Sequence, residues 1–148
     1  MIMHPLFKGL RRALVEDVEI SSRLEQHDSE PAVFTRRPVP KDAPGRIVII
    51  DSMDLADWDS LAGDRPWVKV QLMFLGVKGE PGSSQDDTRT VEEAADLARE
   101  KFHRQKFSVQ VDGFSVIEIV AGGPVPGPTD DDNEVSRLVS LRIRLRRN

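Results

Sequence analysis

Residues Val135 to Arg146 alternate strictly, with Val139, Leu141, Ile143 and Leu145 in one set of positions and Ser140, Arg142, Arg144 and Arg146 in the other. Successive side chains of a strand point to opposite faces, so this pattern gives a strand with one apolar face and one arginine face. A helix would scatter both sets around its axis. Such a strand needs partners on a sheet and a layer over its apolar side. The rest of the chain must supply both.

Two helical stripes can supply the layer. Leu6, Leu10, Ala13, Leu14 and Val18 recur at spacings of three and four, while Lys8, Arg11, Arg12, Glu16 and Glu19 fall mostly opposite. This predicts an amphipathic helix over Pro5–Leu24, with the proline in the first turn, where its missing N–H would be unpaired anyway. A second helix is expected from Thr90, with Glu93 three residues on as a capping box. Val91, Ala94, Ala95, Ala98 and Phe102 form its stripe, and small alanines imply close packing.

The remaining apolar runs read as strands. Ala32–Thr35 is a short one, ended by Pro38 and Pro40, and Lys41–Gly45 is a turn. Arg46–Asp51 is expected to be buried on both faces. Pro66 opens a strand in which Val68, Val70, Leu72 and Phe74 alternate with Trp67, Lys69, Gln71 and Met73. Its second face is mixed, suited to water or another chain. Val109 and Val111 are expected to lead through a tight Asp112-Gly113 turn into Phe114–Val120 as an antiparallel pair. Asp51–Arg65 and Gly76–Thr88 read as loops, and Gly122–Glu134 as a protruding loop rich in proline and aspartate. The prediction is an α+β chain, one domain over 1–148, with two helices packed on one face of an antiparallel or mixed β-sheet.

Composition narrows the chemistry. A chain of 148 residues has the size of one domain and buries roughly 70% of its unfolded surface. With no cysteine, disulfides, thiolate metal sites and thiol nucleophiles are excluded. A net charge of −4 is not that of a chain built to neutralise phosphate. Aromatics make up 5%, so the core rests on aliphatic side chains. No apolar run approaches the about 20 residues of a membrane span. The start Met1-Ile2-Met3-His4-Pro5 lacks the layout of a signal peptide. A soluble protein is therefore expected.

No catalytic residue, cofactor site or metal site is expected. His4, His27 and His103 lie in three different elements, and His103 falls near a helix C-terminus, where a cation is favoured. Asp51, Asp54, Asp57, Asp59 and Asp64 read as a solvated loop after a buried strand. Asp130, Asp131, Asp132 and Glu134 are dense in oxygen but lack the glycine of a calcium loop, and read as an acidic partner-contacting loop. No serine sits in a nucleophile elbow, and Gly76, Gly79 and Gly82 lack the setting of a phosphate loop. What remains is the arginine face. Arg142, Arg144 and Arg146 project to one side about 7 Å apart, with Arg147 beside them. They form either a stripe for nucleic acid or an acidic partner, or a charged edge that blocks aggregation or pairs with Glu118.

The layout resembles the small tail-terminator (tail-completion) proteins of long-tailed siphophages and related gene-transfer particles. The resemblance rests on the helix Leu6–Val18 and on Pro40–Ile49 feeding a buried strand. It continues through the acidic Asp51–Asp59 stretch, Trp67–Leu72, the helix Thr90–Phe102 and the strand Val135–Arg146. It implies a non-enzymatic virion protein of the tail or neck, assembled in the host cytoplasm. Such proteins form a hexameric ring that caps the tail tube once the tape-measure protein has set its length. The ring meets the neck or head-completion proteins, and DNA passes through its lumen without sequence recognition. Arg142, Arg144, Arg146, Trp67, Lys69 and Gln71 then become candidates for a subunit interface or lumen wall. The Gly122–Glu134 loop departs from typical members. A head-completion or connector protein is a second reading. A small nucleic-acid-binding module is a third, opposed by the pI of about 5.4 and the scarcity of stacking aromatics.

Overall fold

A computed structural model describes residues 3–35, 39–52, 67–79, 86–129 and 132–148. The elements are α1 (Met3–Glu16), α2 (Val18–Ser21), β1 (Gln26–His27), β2 (Glu30–Pro31), β3 (Val33–Phe34), β4 (Ile47–Ser52), β5 (Trp67–Val77), α3 (Thr88–Phe102), a 3₁₀ turn at Lys106–Ser108, β6 (Phe114–Pro126) and β7 (Glu134–Arg147). The main sheet has the order β3-β4-β5-β7-β6, with β3 parallel to β4 and all other neighbours antiparallel. β1 and β2 form a separate small ribbon. This is the expected α+β arrangement, with a mixed sheet.

The helices lie on one face of that sheet. Leu6, Leu10 and Leu14 of α1, Ile20 of α2 and the alanine-rich stripe of α3 join one core with Val48, Ile50, Val70, Leu72, Leu141 and Ile143. The apolar set of β7 is fully buried because the strand is flanked by β5 and β6 and covered from above. β4 is buried on both faces, as its unbroken apolar run predicts. Val48 and Ile50 turn to the helices, while Ile47 and Ile49 pack with Ala32 and Met73 on the other side.

Five local expectations are corrected. The first helix breaks at Asp17, whose carboxylate accepts the Ile20 N–H at 3.0 Å and starts α2. Lys101 of α3 binds the other oxygen at 3.0 Å. The break turns Val18 outward, 78% exposed, and puts Ile20 into the core instead.

α3 begins at Thr88, and the Thr90/Glu93 capping box does not form. Glu93 instead pairs with Arg23 and Arg89, each at 3.1 Å. Asp86 holds the helix start by accepting the Thr88 N–H at 3.1 Å and its hydroxyl at 2.6 Å. The polar run before this helix is also shorter than expected, because β5 continues through Gly76 and Val77.

The expected hairpin at Asp112-Gly113 shrinks to a single bridge between Val111 and Phe114. The 3₁₀ turn just upstream leaves too few extended residues to build a ladder. β6 pairs along its length with β7 instead. Finally, Gly122–Pro126 belong to β6, so the connection to β7 is confined to residues 127–133. β6 lies at the sheet edge, where proline need not remove a ladder bond.

Candidate interaction face

The sheet face turned away from the helices brings two of the predicted residue sets together. In the β5–β7 register Trp67 lies opposite Arg144, Lys69 opposite Arg142 and Gln71 opposite Ser140. The Arg142 and Arg144 guanidinium carbons sit 5.1 Å and 5.5 Å from the centre of the Trp67 ring. Each such contact contributes about 0.5–1 kcal/mol at an exposed site. On the other flank, β6 places Ser115 opposite Arg146, Glu118 opposite Arg144 and Val120 opposite Arg142.

Neither modest explanation of the arginines fits this geometry. β7 is an interior strand, so its arginines do not guard a sheet edge. Glu118 faces Arg144 across the ladder, yet the two form no ion pair. Among the described residues, Lys69, Arg142, Arg144, Arg146 and Arg147 make no salt bridge. The Arg144 Nε–H is buried and has no acceptor. Arg137 provides the contrast. It sits on the helix side of the same strand and donates to Glu92 at 2.6 Å and to the Ser136 carbonyl at 2.8 Å. On the covered side Arg137 is ion-paired, whereas among the described residues the open-side cations have no ion-pair partner and Arg142 and Arg144 lie over Trp67.

The same face becomes apolar toward the other end of β7. Ile47, Ile49, Met73, Leu75 and Leu138 cluster there beneath Val39. An open groove of about 730 Å³ runs between the 39–45 segment, β5 and Pro128. Glu134 starts the same row of β7 side chains that ends in Arg142, Arg144 and Arg146. Asp132 is exposed just beyond it, and Asp130 and Asp131 lie outside the described residues. Asp132 and Glu134 therefore sit at the opposite end of β7 from Arg142, Arg144 and Arg146.

Other sequence candidates resolve into structural parts. The His103 Nδ1 accepts the Ala121 N–H at 3.1 Å, which requires a lone pair on that nitrogen. It serves there as a structural acceptor for the β6 backbone. Beside it the Arg104 N–H donates to the Ile119 carbonyl at 2.8 Å, so the turn after α3 covers part of the outer edge of β6. His27 bonds Asp42 at 3.2 Å and meets the Phe34 ring edge-on at 5.4 Å. That hydrogen bond holds the Asp42 carboxyl below its ordinary range. His4 is exposed. Asp54, Asp57, Asp59 and Asp64 lie outside the described residues. Among the described residues, no group of three or more His, Cys, Asp or Glu is placed to hold a metal ion, and no helix is long and apolar enough to cross a membrane.

Sequence reasoning missed Phe107, which stands 87% exposed on the 3₁₀ turn beside Ile117 and Glu118. An isolated phenylalanine carries no periodic signal. It also missed the Arg46 link, in which the guanidinium lies 3.0 Å from Asp87 and 3.7 Å from Glu25. Those three residues are far apart in sequence.

The fold is similar to that of a chain in the solved virion of a native gene transfer agent (GTA) particle. The TM-score is 0.68 at 13% identity, over 95% of this chain and 94% of that one. The likeness is one of fold. A second solved structure matches with a TM-score of 0.53 at 17% identity, over 95% of this chain and 96% of its own. No family model matches the chain, and no curated protein matches it in sequence.

Proposed function

We propose that this chain is a structural subunit of a phage-like particle, and specifically a tail terminator. In this reading it closes with copies of itself into a hexameric ring on the end of the tail tube and joins the tube to the neck. The observation that carries the reading is the near full-length likeness to a chain of a gene-transfer-agent virion. The open face supports it. A sheet face on which Lys69, Arg142, Arg144 and Arg146 make no salt bridge among the described residues suits contact with another surface or with the DNA that passes through a lumen.

The test is assembly. Purified protein at high concentration, alone and mixed with tail tubes, should form closed rings or cap the tubes in sedimentation and negative-stain images. Protein that stays monomeric and ignores tubes refutes the role.

One observation favours a second reading from another class. Trp67 lies against two guanidinium groups, and aromatic and arginine planes are the parts that single-stranded nucleic acids stack on. Salt-dependent binding of short DNA by the monomer would support a nucleic-acid module. No binding at low salt would remove it.

A further inference from the structure

We infer that the turn after α3 is an edge guard. It occupies the place on the outer edge of β6 where a further strand would add, and so keeps the five-stranded sheet from extending into another chain. The inference is independent of the ring-subunit reading, because any chain with an open sheet edge carries the same hazard.

β6 is an edge strand of 13 residues, with β7 on one side only. A strand this long with a bare outer row of N–H and C=O groups is a template for pairing. At its middle that row is taken. The Arg104 N–H donates to the Ile119 carbonyl at 2.8 Å, and the Ala121 N–H donates to the His103 Nδ1 at 3.1 Å. Donation to one residue's carbonyl and acceptance from the N–H two residues on is the pair of bonds that one residue of a parallel strand makes. The imidazole nitrogen stands where that residue's carbonyl oxygen would be. The turn is fixed in this place, because Phe102 just before it is fully buried and the Gln105 N–H folds back to the Phe102 carbonyl at 3.1 Å. Arg104 has a φ of 57°, the left-handed conformation, directly after the helix C-cap, where glycine is usual. The bond to Ile119 is what that uncommon conformation delivers.

The rest of the sheet's rim fits the same purpose. On either side of the clip β6 is irregular, with register shifts between Val116 and Glu118 and between Gly122 and Val125. Pro124 and Pro126, at the second shift and just after it, have no N–H to offer a partner. At the opposite rim β3 is two residues long, and its Val33 carbonyl accepts from the Arg11 Nε at 3.2 Å. Register irregularities, prolines, short strands and covering turns are the ways a folded chain blunts a sheet edge. Contacts with other chains then run through side chains and not through added strands.

Amide hydrogen exchange and association of His103 variants of the full chain test the guard. Asparagine places an amide oxygen near the position of Nδ1, whereas alanine removes the acceptor. In the parent and in His103→Asn the Ala121 amide should be protected like the amides inside the β6–β7 ladder. In His103→Ala it should exchange roughly tenfold faster. Light scattering of that variant over a concentration series should also show larger species that the parent lacks. Adding Ile117→Lys, a charge on the freed edge, should remove those species again. Fast exchange at Ala121 in the parent would overturn the inference, since the edge would then be open. So would faster exchange in His103→Ala with parental association, which would make the turn a staple and not a guard. New species that persist with Ile117→Lys would place the association elsewhere and overturn it as well. If His103→Ala does not fold, His103→Ser takes its place, and loss of folding in both would assign the bond to stability and sink the guard.

Discussion

Replacing Ile143 with aspartate tests the placement of every residue on the two faces of β7. Ile143 is fully buried, with Val68 opposite it on β5 and Ile119 opposite it on β6. Removing a buried isoleucine side chain costs about 2–5 kcal/mol. An unpaired carboxylate in its place adds several kcal/mol more of desolvation. The total, about 5 kcal/mol or more, matches or exceeds the stability of many domains. Arg142, one residue away, faces the open side and is exposed. Arg142→Asp should lose little beyond the Trp67 contact, about 0.5–1 kcal/mol. Far-UV circular dichroism and urea unfolding should therefore show a collapsed transition for Ile143→Asp and a near-parental one for Arg142→Asp. A cooperatively folded Ile143→Asp with a parental midpoint would show that the faces are reversed and that the arginines are not on the free side.

Three further outcomes are expected. Gly9→Ala should destabilise the chain by about 1–3 kcal/mol despite the better helix propensity of alanine, because its Cβ would run into the Gln110 carbonyl oxygen; urea midpoints decide the sign. Burial raises the Asp17 carboxyl, but the Ile20 N–H and the Lys101 ammonium outweigh it and leave the group below its ordinary 3.8. A depressed folded value stabilises above the unfolded pKa, and that stabilisation is lost as pH falls through the folded value. Asp17→Asn should therefore flatten the acid-side fall in stability below about pH 4, whereas an unchanged slope would mean that the Lys101 pair contributes nothing. Serine at Arg142, Arg144 and Arg146 together should leave the urea transition near that of the parent while weakening ring assembly or tube capping. Unimpaired assembly would make the stripe irrelevant to the particle.

The legible parts of the sequence were those whose pattern is local and whose cover is uniform. β7 has a strict period because the helices bury one whole side of it. The α3 stripe is equally clear because its alanines pack close to the sheet. The break at Asp17 was hidden because Val18 continues the spacing of Leu10 and Leu14, while one capping hydrogen bond redirects the chain. Gly122–Pro126 read as loop because proline usually ends strands, but position at the sheet edge relaxes that rule. The candidate face was only half legible. Each strand announced its own two sides, but nothing in either sequence fixes Trp67 opposite Arg144, a register set by strands some seventy positions apart. That these arginines make no salt bridge among the described residues could be seen only once Glu118 and Arg137 had been placed.

The account turns on whether this chain is a ring subunit. Electron cryo-microscopy of the purified protein mixed with tail tubes tests that claim most directly. The account predicts a closed six-fold ring at one end of the tube, with the Trp67–arginine face at a subunit junction. Tubes with bare ends, and protein that remains monomeric in the background, would contradict it.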